Sequence, residues 1–260
     1  MHWTNHRAGP SVGDVVTMSA VRSTVGRKAL MAVSGIVLVL FLVAHMVGNL
    51  KVFVGAGSFD HYAHWLRTIG APLLPDSGYL WIQRTVLTAA LVAHVWAATS
   101  LALRARAARP VRYAHRAGLR SRLRGSQTRL APRARRQPSQ GSYAARTMRW
   151  GGVIILLFAV YHLLDLTTGH LNPVGDRAHP YGNVVADFAP ERWYVTLFYT
   201  LAVLAVGLHV WHGVFSAVRT LGQRTATGER RARLVALVVA VGLSAGYLSV
   251  PFAVSLGLVS

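Results

Sequence analysis

The chain contains no cysteine and few acids: 8 Asp and Glu stand against 28 Lys and Arg in 260 residues. Without cysteine there is no disulfide scaffold, no protein-ligated iron–sulfur cluster and no Cys-type structural zinc site. Charged residues make up only 14%, where a soluble domain carries about a quarter. Hydrophobic residues make up 53% and mean hydropathy is +0.37, which excludes an intrinsically disordered chain. What charge there is has almost one sign, +20 in net at pH 7. Sparse, one-signed charge leaves two readings: a nucleic-acid binder, or a membrane protein with its arginines sorted to one side.

Long apolar runs decide between them. Residues 30–50, 85–103, 150–164, 193–218 and 234–260 hold no Lys, Arg, Asp or Glu. A helix rises about 1.5 Å per residue, so about 20 such residues cross the hydrocarbon layer. The third run reaches that length by continuing to Gly169, with Asp165 at its outer end. Unbroken runs call for helices rather than short alternating strands. The expected fold is an all-α membrane protein, a helical bundle of five transmembrane helices. Its spans are expected at about 29–53, 81–103, 150–169, 193–218 and 234–258. Residues 1–21 are expected to form a flexible polar tail, and 22–260 the bundle domain. The first run is too long and starts too late for a cleaved signal peptide, and it lacks a small-residue cleavage pattern.

Loop charge predicts orientation. The segment before the first run, the loop 104–149 and the loop 219–233 together carry 23 basic residues, and the other side carries 5. The positive-inside rule then puts the N-terminus in the cytoplasm. Trp65, Trp81, Trp150 and Trp193 near the span ends fit an interfacial aromatic belt. The loop 104–149 carries fourteen arginines, among them Arg120, Arg122, Arg124, Arg129, Arg133, Arg135 and Arg136. It has few interleaved aromatics and no binding-module pattern, so it is read as a loop held near anionic lipid head groups, with no nucleic-acid partner.

Four of the apolar runs hold a histidine: His45, His94, His162 and His209, with His212 one turn after the last. A lone intramembrane histidine often only bridges helices. Four on four helices point to function, because each ionisable group in a span is costly. His94 and His209 each lie ten residues from the arginine ending their helix, about 15 Å from the basic end. His45 and His162 lie about 26 Å and 20 Å in. Two levels of two histidines, each pair drawn from two helices, are what two stacked planar cofactors need. Haem is the planar cofactor that imidazoles ligate. No Cys-x-x-Cys-His motif occurs, so the haem would be non-covalent, of the b type. The small residues Ala44, Gly48, Ala93, Gly207 and Gly213 would admit a porphyrin or serve close helix packing. Asp165 is the one carboxylate within a span. It is read as lying near the outer interface, with proton exchange near a quinone as its functional alternative.

The segments KALMAVSGIVL at 28–38 and FLVAHM at 41–46 resemble the first helix of the five-helix cytochrome b subunit of succinate dehydrogenases and fumarate reductases. LHVWHGVFSAVRTLG at 208–222 resembles that family's fourth helix, and FDHYAHWLR at 59–67 its first outer loop. The resemblance runs from about residue 22 to 258. It implies a di-haem membrane anchor of succinate:quinone oxidoreductase in the bacterial cell membrane. That anchor passes electrons between an iron–sulfur subunit and a quinone, commonly menaquinone. It also implies a flavoprotein partner on the cytoplasmic side, where succinate chemistry occurs. Carried over by position, His94 and His209 would ligate the iron of an inner haem b, and His45 and His162 that of an outer one. His212 shares a face with His209 and is the alternative ligand. The loop 104–149 is longer than the family pattern, and an acidic quinone-site residue of some relatives has no clear counterpart. His61, Tyr62 and His64 are the polar candidates in the outer loop. The competing readings are an anchor for another quinone-linked dehydrogenase, a haem-free anchor whose histidines only bridge helices, and a His-lined transporter.

Overall fold

The structure is a computed structural model that describes residues 23–108, 140–222 and 225–260, the side chains of 140–146 excepted. The tail expected at 1–21 and the arginine-rich stretch 109–139 lie outside the described residues. Among the described residues there is no strand. The helices are α1 (Thr24–Asn49), α2 (Ala56–Thr68), α3 (Gly78–Ala107), α4 (Gln140–His162), α5 (Pro180–Asp187), α6 (Trp193–Thr220) and α7 (Ala226–Ser255). A 3-10 turn, Leu50–Val54, prolongs α1, and a π turn, Leu163–Thr167, prolongs α4. Among the described residues, five helical segments are long and apolar enough to cross a membrane: Thr24–Val54, Gly78–Ala107, Thr147–Thr167, Pro190–Thr220 and Ala226–Ser255.

Local chemistry sets the ends. Ser23 caps α1, its hydroxyl accepting from the Gly26 N–H at 2.9 Å. Thr225 caps α7 by accepting from the Gly228 N–H at 3.1 Å, with Glu229 in the first turn. Pro180 opens α5, where a missing N–H costs nothing. The helices overrun the apolar runs at the basic end. α3 continues through Arg104 and Arg106, and α7 begins eight residues before Leu234 and passes through Arg230, Arg231 and Arg233. Arginine and alanine are good helix formers. Hydropathy therefore marks the lipid-embedded length and not the helix length. The short helices α2 and α5 carry too few apolar residues to register as runs.

The packing is the inverse of a water-soluble bundle. Leu40, Leu157, Leu201 and Val238 are 60–66% exposed, while Ala97, Ala202, Ala236 and Ala240 are buried. Lipid is as apolar as leucine, so helices associate through close contact of small residues. On α7 the buried stripe is Ala232, Ala236 and Ala240, one turn apart. α6 packs on α7 and α4, and α1 packs on α3, α6 and α7. A Cβ at Gly207 would run into the Ser244 hydroxyl on α7, and one at Gly48 would meet the Tyr62 ring at 2.9 Å. Both glycines therefore serve packing, and the porphyrin-admitting role weighed for them is not where their space goes.

The two ends of the bundle differ. At the basic end, Arg104 of α3 donates to the Thr24 hydroxyl of α1 at 3.3 Å, and Arg219 lies 3.4 Å from Glu229. The start of α1 thus meets the end of α3. At the other end α2, α5 and their loops form a layer. The Tyr181 N–H donates to Asp60 at 2.9 Å, the Tyr181 hydroxyl to the Ser260 carbonyl, and Ser255 to the Phe188 carbonyl. Gly169 and Gly175 close the loop after α4. Both have positive φ, and a Cβ on Gly169 would fall 2.8 Å from the Gly175 Cα.

Gly207→Val is expected to destabilise the chain by about 1–3 kcal/mol by overpacking the α6–α7 seam. Gly213→Ala, where a Cβ meets nothing within 4 Å, is expected to be near neutral. Unfolding midpoints in detergent compare the two, and an unchanged Gly207→Val midpoint would refute the seam.

Candidate functional site

The four helix histidines meet in two pairs. His94 of α3 faces His209 of α6, with ring centroids 6.2 Å apart and planes at 64°. His45 of α1 faces His162 of α4 at 5.8 Å and 75°. These are the groupings that depth along the helices gives. Each pair joins helices that are not among the closely packed ones: neither α3 with α6 nor α1 with α4. The imidazoles bridge gaps that the backbones leave open.

Spacing and donor chemistry bear on what such a pair holds. Two imidazole nitrogens on opposite sides of one metal ion, each at about 2 Å, leave ring centroids about 6 Å apart. Both pairs have that separation. Glycines lie against two of the rings. A Cβ on Gly35 would sit 3.2 Å from the His94 ring, and one on Gly152 would sit 3.7 Å from the His209 ring. Among the described residues, no group of three or more His, Cys, Asp or Glu forms a metal cluster. The donor set is therefore paired imidazoles alone.

Neighbours orient the rings. His94 Nδ1 lies 3.1 Å from the Met31 carbonyl and 3.4 Å from the Ser34 hydroxyl. A carbonyl only accepts, so Nδ1 carries the proton and Nε2 keeps its lone pair. Ser34 is held in turn by donating to the Leu30 carbonyl at 2.7 Å. His45 stacks on Phe41 at 5.3 Å and lies 6.0 Å from Tyr247, whose hydroxyl donates to the Leu42 carbonyl. His162 lies beside Phe158, with its Nδ1 3.5 Å from the Tyr199 hydroxyl. His209 Nδ1 is buried without a hydrogen-bond partner. His212 turns away from the pair: its Nδ1 donates to the Leu208 carbonyl at 2.9 Å and its ring packs on Trp211. Of the two candidates on α6, His209 is the one opposite His94.

The outer-loop candidates do not join these pairs. His61 and His64 are exposed on α2. Tyr62 is packed over Gly48, stacked on Trp65 and approached by the Lys51 ammonium. Partial burial, then the Tyr79 hydroxyl, pushes its pKa up. His179 and Asp176 form an exposed pair at 2.9 Å. Hydrogen bonding to that partner raises the His179 pKa and lowers that of Asp176.

Asp165 lies at the end of its span, on the π turn against α6, and it is wholly buried there, which its depth alone did not indicate. Its Oδ2 accepts from the Tyr199 hydroxyl at 2.8 Å. Asp187, also wholly buried, accepts from Arg192 Nη2 at 2.9 Å. Asp165 Oδ1 and Asp187 Oδ2 have no hydrogen-bond partner. Burial, then the neighbouring Asp165 carboxyl, pushes the Asp187 pKa up to about 7 against the opposing pull of Arg192. Tyr199, Asp187 and Arg192 were not legible as site residues. Tyr199 sits in an apolar run, and the other two sit in a segment that sequence treats as loop. The single signal was a carboxylate at span depth, which calls for a buried partner.

No family model, no curated protein and no solved structure matches the chain.

A carboxyl whose pKa rises on folding binds its proton more tightly in the folded chain. Its contribution to stability is full below its ordinary range near 3.8 and is lost as pH rises through about 7. Stability of the wild type is thus expected to fall between about pH 5 and about pH 8, and Asp187→Asn to flatten that fall. Unfolding midpoints at the two pH values check it, and equal slopes in both proteins would contradict it.

Proposed function

We propose that the chain is the di-haem cytochrome b anchor of a quinone-linked dehydrogenase complex, succinate:quinone oxidoreductase being the activity that its sequence resembles. The observation that carries this reading is the pair of imidazole pairs. Four histidines on four apolar helices stand as two couples, each at the spacing of two ligands on one metal. Each couple spans helices that stay apart. Histidines that only bridge helices would be expected to hydrogen-bond across the gap, yet the hydrogen bonds of the described residues join neither His94 to His209 nor His45 to His162. Carboxylate-rich transport sites are also unlike this donor set.

In this reading His94 and His209 hold the inner haem b, and His45 and His162 the outer one. Bound haem supplies a one-electron carrier at each level. The protein fixes the ring orientations. Met31 and Ser34 hold the His94 tautomer, Phe41 sets the plane of His45, and Tyr199 lies on the back of His162. The apolar helix surfaces exclude water and keep the iron ligand sets closed to other donors. The basic end would face the cytoplasm and dock an iron–sulfur subunit that carries electrons from a flavoprotein. The end carrying α2 and α5 would face outward, and a membrane quinone, commonly menaquinone in the resembling family, would complete the path.

The test is haem content by optical spectroscopy of the purified chain or complex. Two b haems per chain with bis-imidazole spectra are expected. His94→Ala and His209→Ala should each leave one haem, as should His45→Ala and His162→Ala, with the opposite haem retained. His212→Ala should leave both. A wild type with no haem, or loss on His212→Ala but not on His209→Ala, would overturn the assignment.

A further inference from the structure

Beside the His45/His162 pair lies a buried charged group that the electron path does not use. Asp165 and Asp187 are both fully buried, and each has one carboxyl oxygen with no hydrogen-bond partner. Every element around them contributes a titratable group except α7. α4 gives Tyr161 and His162, the π turn gives Asp165, and α5 gives Asp187. The 3-10 turn Pro190–Arg192 gives Arg192, with Glu191 exposed beside it. α6 gives Tyr194 and Tyr199. α7 brings Val254 against Tyr199 and the Ser255 hydroxyl, and no charge.

Charge counting in this group leaves a residue. Arg192 pairs with Asp187 at 2.9 Å, so one cation faces two carboxyl groups. If both were ionised the site would carry an uncompensated buried negative charge, which is strongly disfavoured. The Asp165 and Asp187 carboxyls lie within hydrogen-bonding reach of each other, two carboxylates cannot donate to one another, and each has one oxygen without a partner. One proton between them removes both problems. It supplies the missing hydrogen bond and brings the group to neutrality.

We propose that Asp165 and Asp187 hold one proton between them and form a proton-binding site linked to the charge on the His45/His162 pair. The link runs through Tyr199. Its hydroxyl donates to Asp165 Oδ2 at 2.8 Å and lies 3.5 Å from His162 Nδ1. The route to water runs past Arg192, whose side chain is 23% exposed. The electron link rests on the proposed function, and the shared proton does not. A haem held by His45 and His162 would supply a one-electron change of charge at this level. Where the carboxyl pair lacks its proton, one proton from water at the loop face would then add to a carboxylate oxygen, forming one O–H bond, and would leave when that charge is withdrawn. The burial that raises the Asp187 pKa to about 7 puts this exchange in the neutral range.

Infrared difference spectroscopy and redox titration of the full chain in detergent test the two halves. Wild type is expected to show one protonated-carboxyl band that shifts in deuterated water and fades as pH rises past neutrality. Asp165→Asn and Asp187→Asn should each lose it, because the remaining carboxylate is then neutralised by Arg192. In wild type, each tenfold rise in proton concentration around neutral pH should favour outer-haem reduction up to tenfold. That dependence should vanish in Asp187→Asn while the inner haem is unchanged. A two-haem wild type without the band would overturn the shared proton and leave the proposed function standing. A haem-free wild type with the band would overturn the electron link and the proposed function and support the shared proton. Where a variant fails to fold, the wild-type band and its pH dependence decide alone.

Discussion

Imidazole facing imidazole across a gap between helices is the contact on which the bundle is organised. In a low-dielectric interior each such ring is expensive, because a buried polar nitrogen must find a partner. The helices are arranged around that cost. α1 and α3 pack closely, as do α6 and α7, yet the histidines reach between the helices that do not pack, α3 to α6 and α1 to α4. Small residues carry the tight seams and leave the other gaps to side chains. Gly207 against Ser244 and the alanine stripe of α7 are the clearest cases. The same division keeps large side chains such as Leu40 and Leu157 outward, where lipid is their natural solvent.

Polar groups inside the bundle follow one logic at both levels. At the first, Ser34 and the Met31 carbonyl settle which nitrogen of His94 is free. At the second, Tyr199 stands between His162 and Asp165, and Arg192 meets Asp187 from the loop side. The first set is neutral and closed. The second carries charge and reaches the surface through Arg192. This asymmetry sets the charged polar group at the level nearer α2 and α5.

The sequence carried the five long helices, because an apolar run of span length has few other uses. It also carried the grouping of the histidines, because helix rise turns residue counts into depth. Helix ends were less legible: Arg104 to Ala107 and Ala226 to Arg233 are helical but charged, so hydropathy stopped short of them. Small residues were ambiguous, since Gly48 and Gly207 fit a cofactor or a seam, and only their neighbours Tyr62 and Ser244 decide. Asp165 was visible by its depth, but its burial depends on a π turn and on Asp187 and Arg192, residues far along the chain whose proximity no local pattern announces.

The central claim is that each imidazole pair holds one haem iron. Electron paramagnetic resonance of the oxidised wild type tests it most directly. Ring planes at 64° and 75° are well away from parallel, so the account predicts two low-spin ferric signals of high anisotropy per chain. A single low-spin signal, a high-spin signal or none would contradict it.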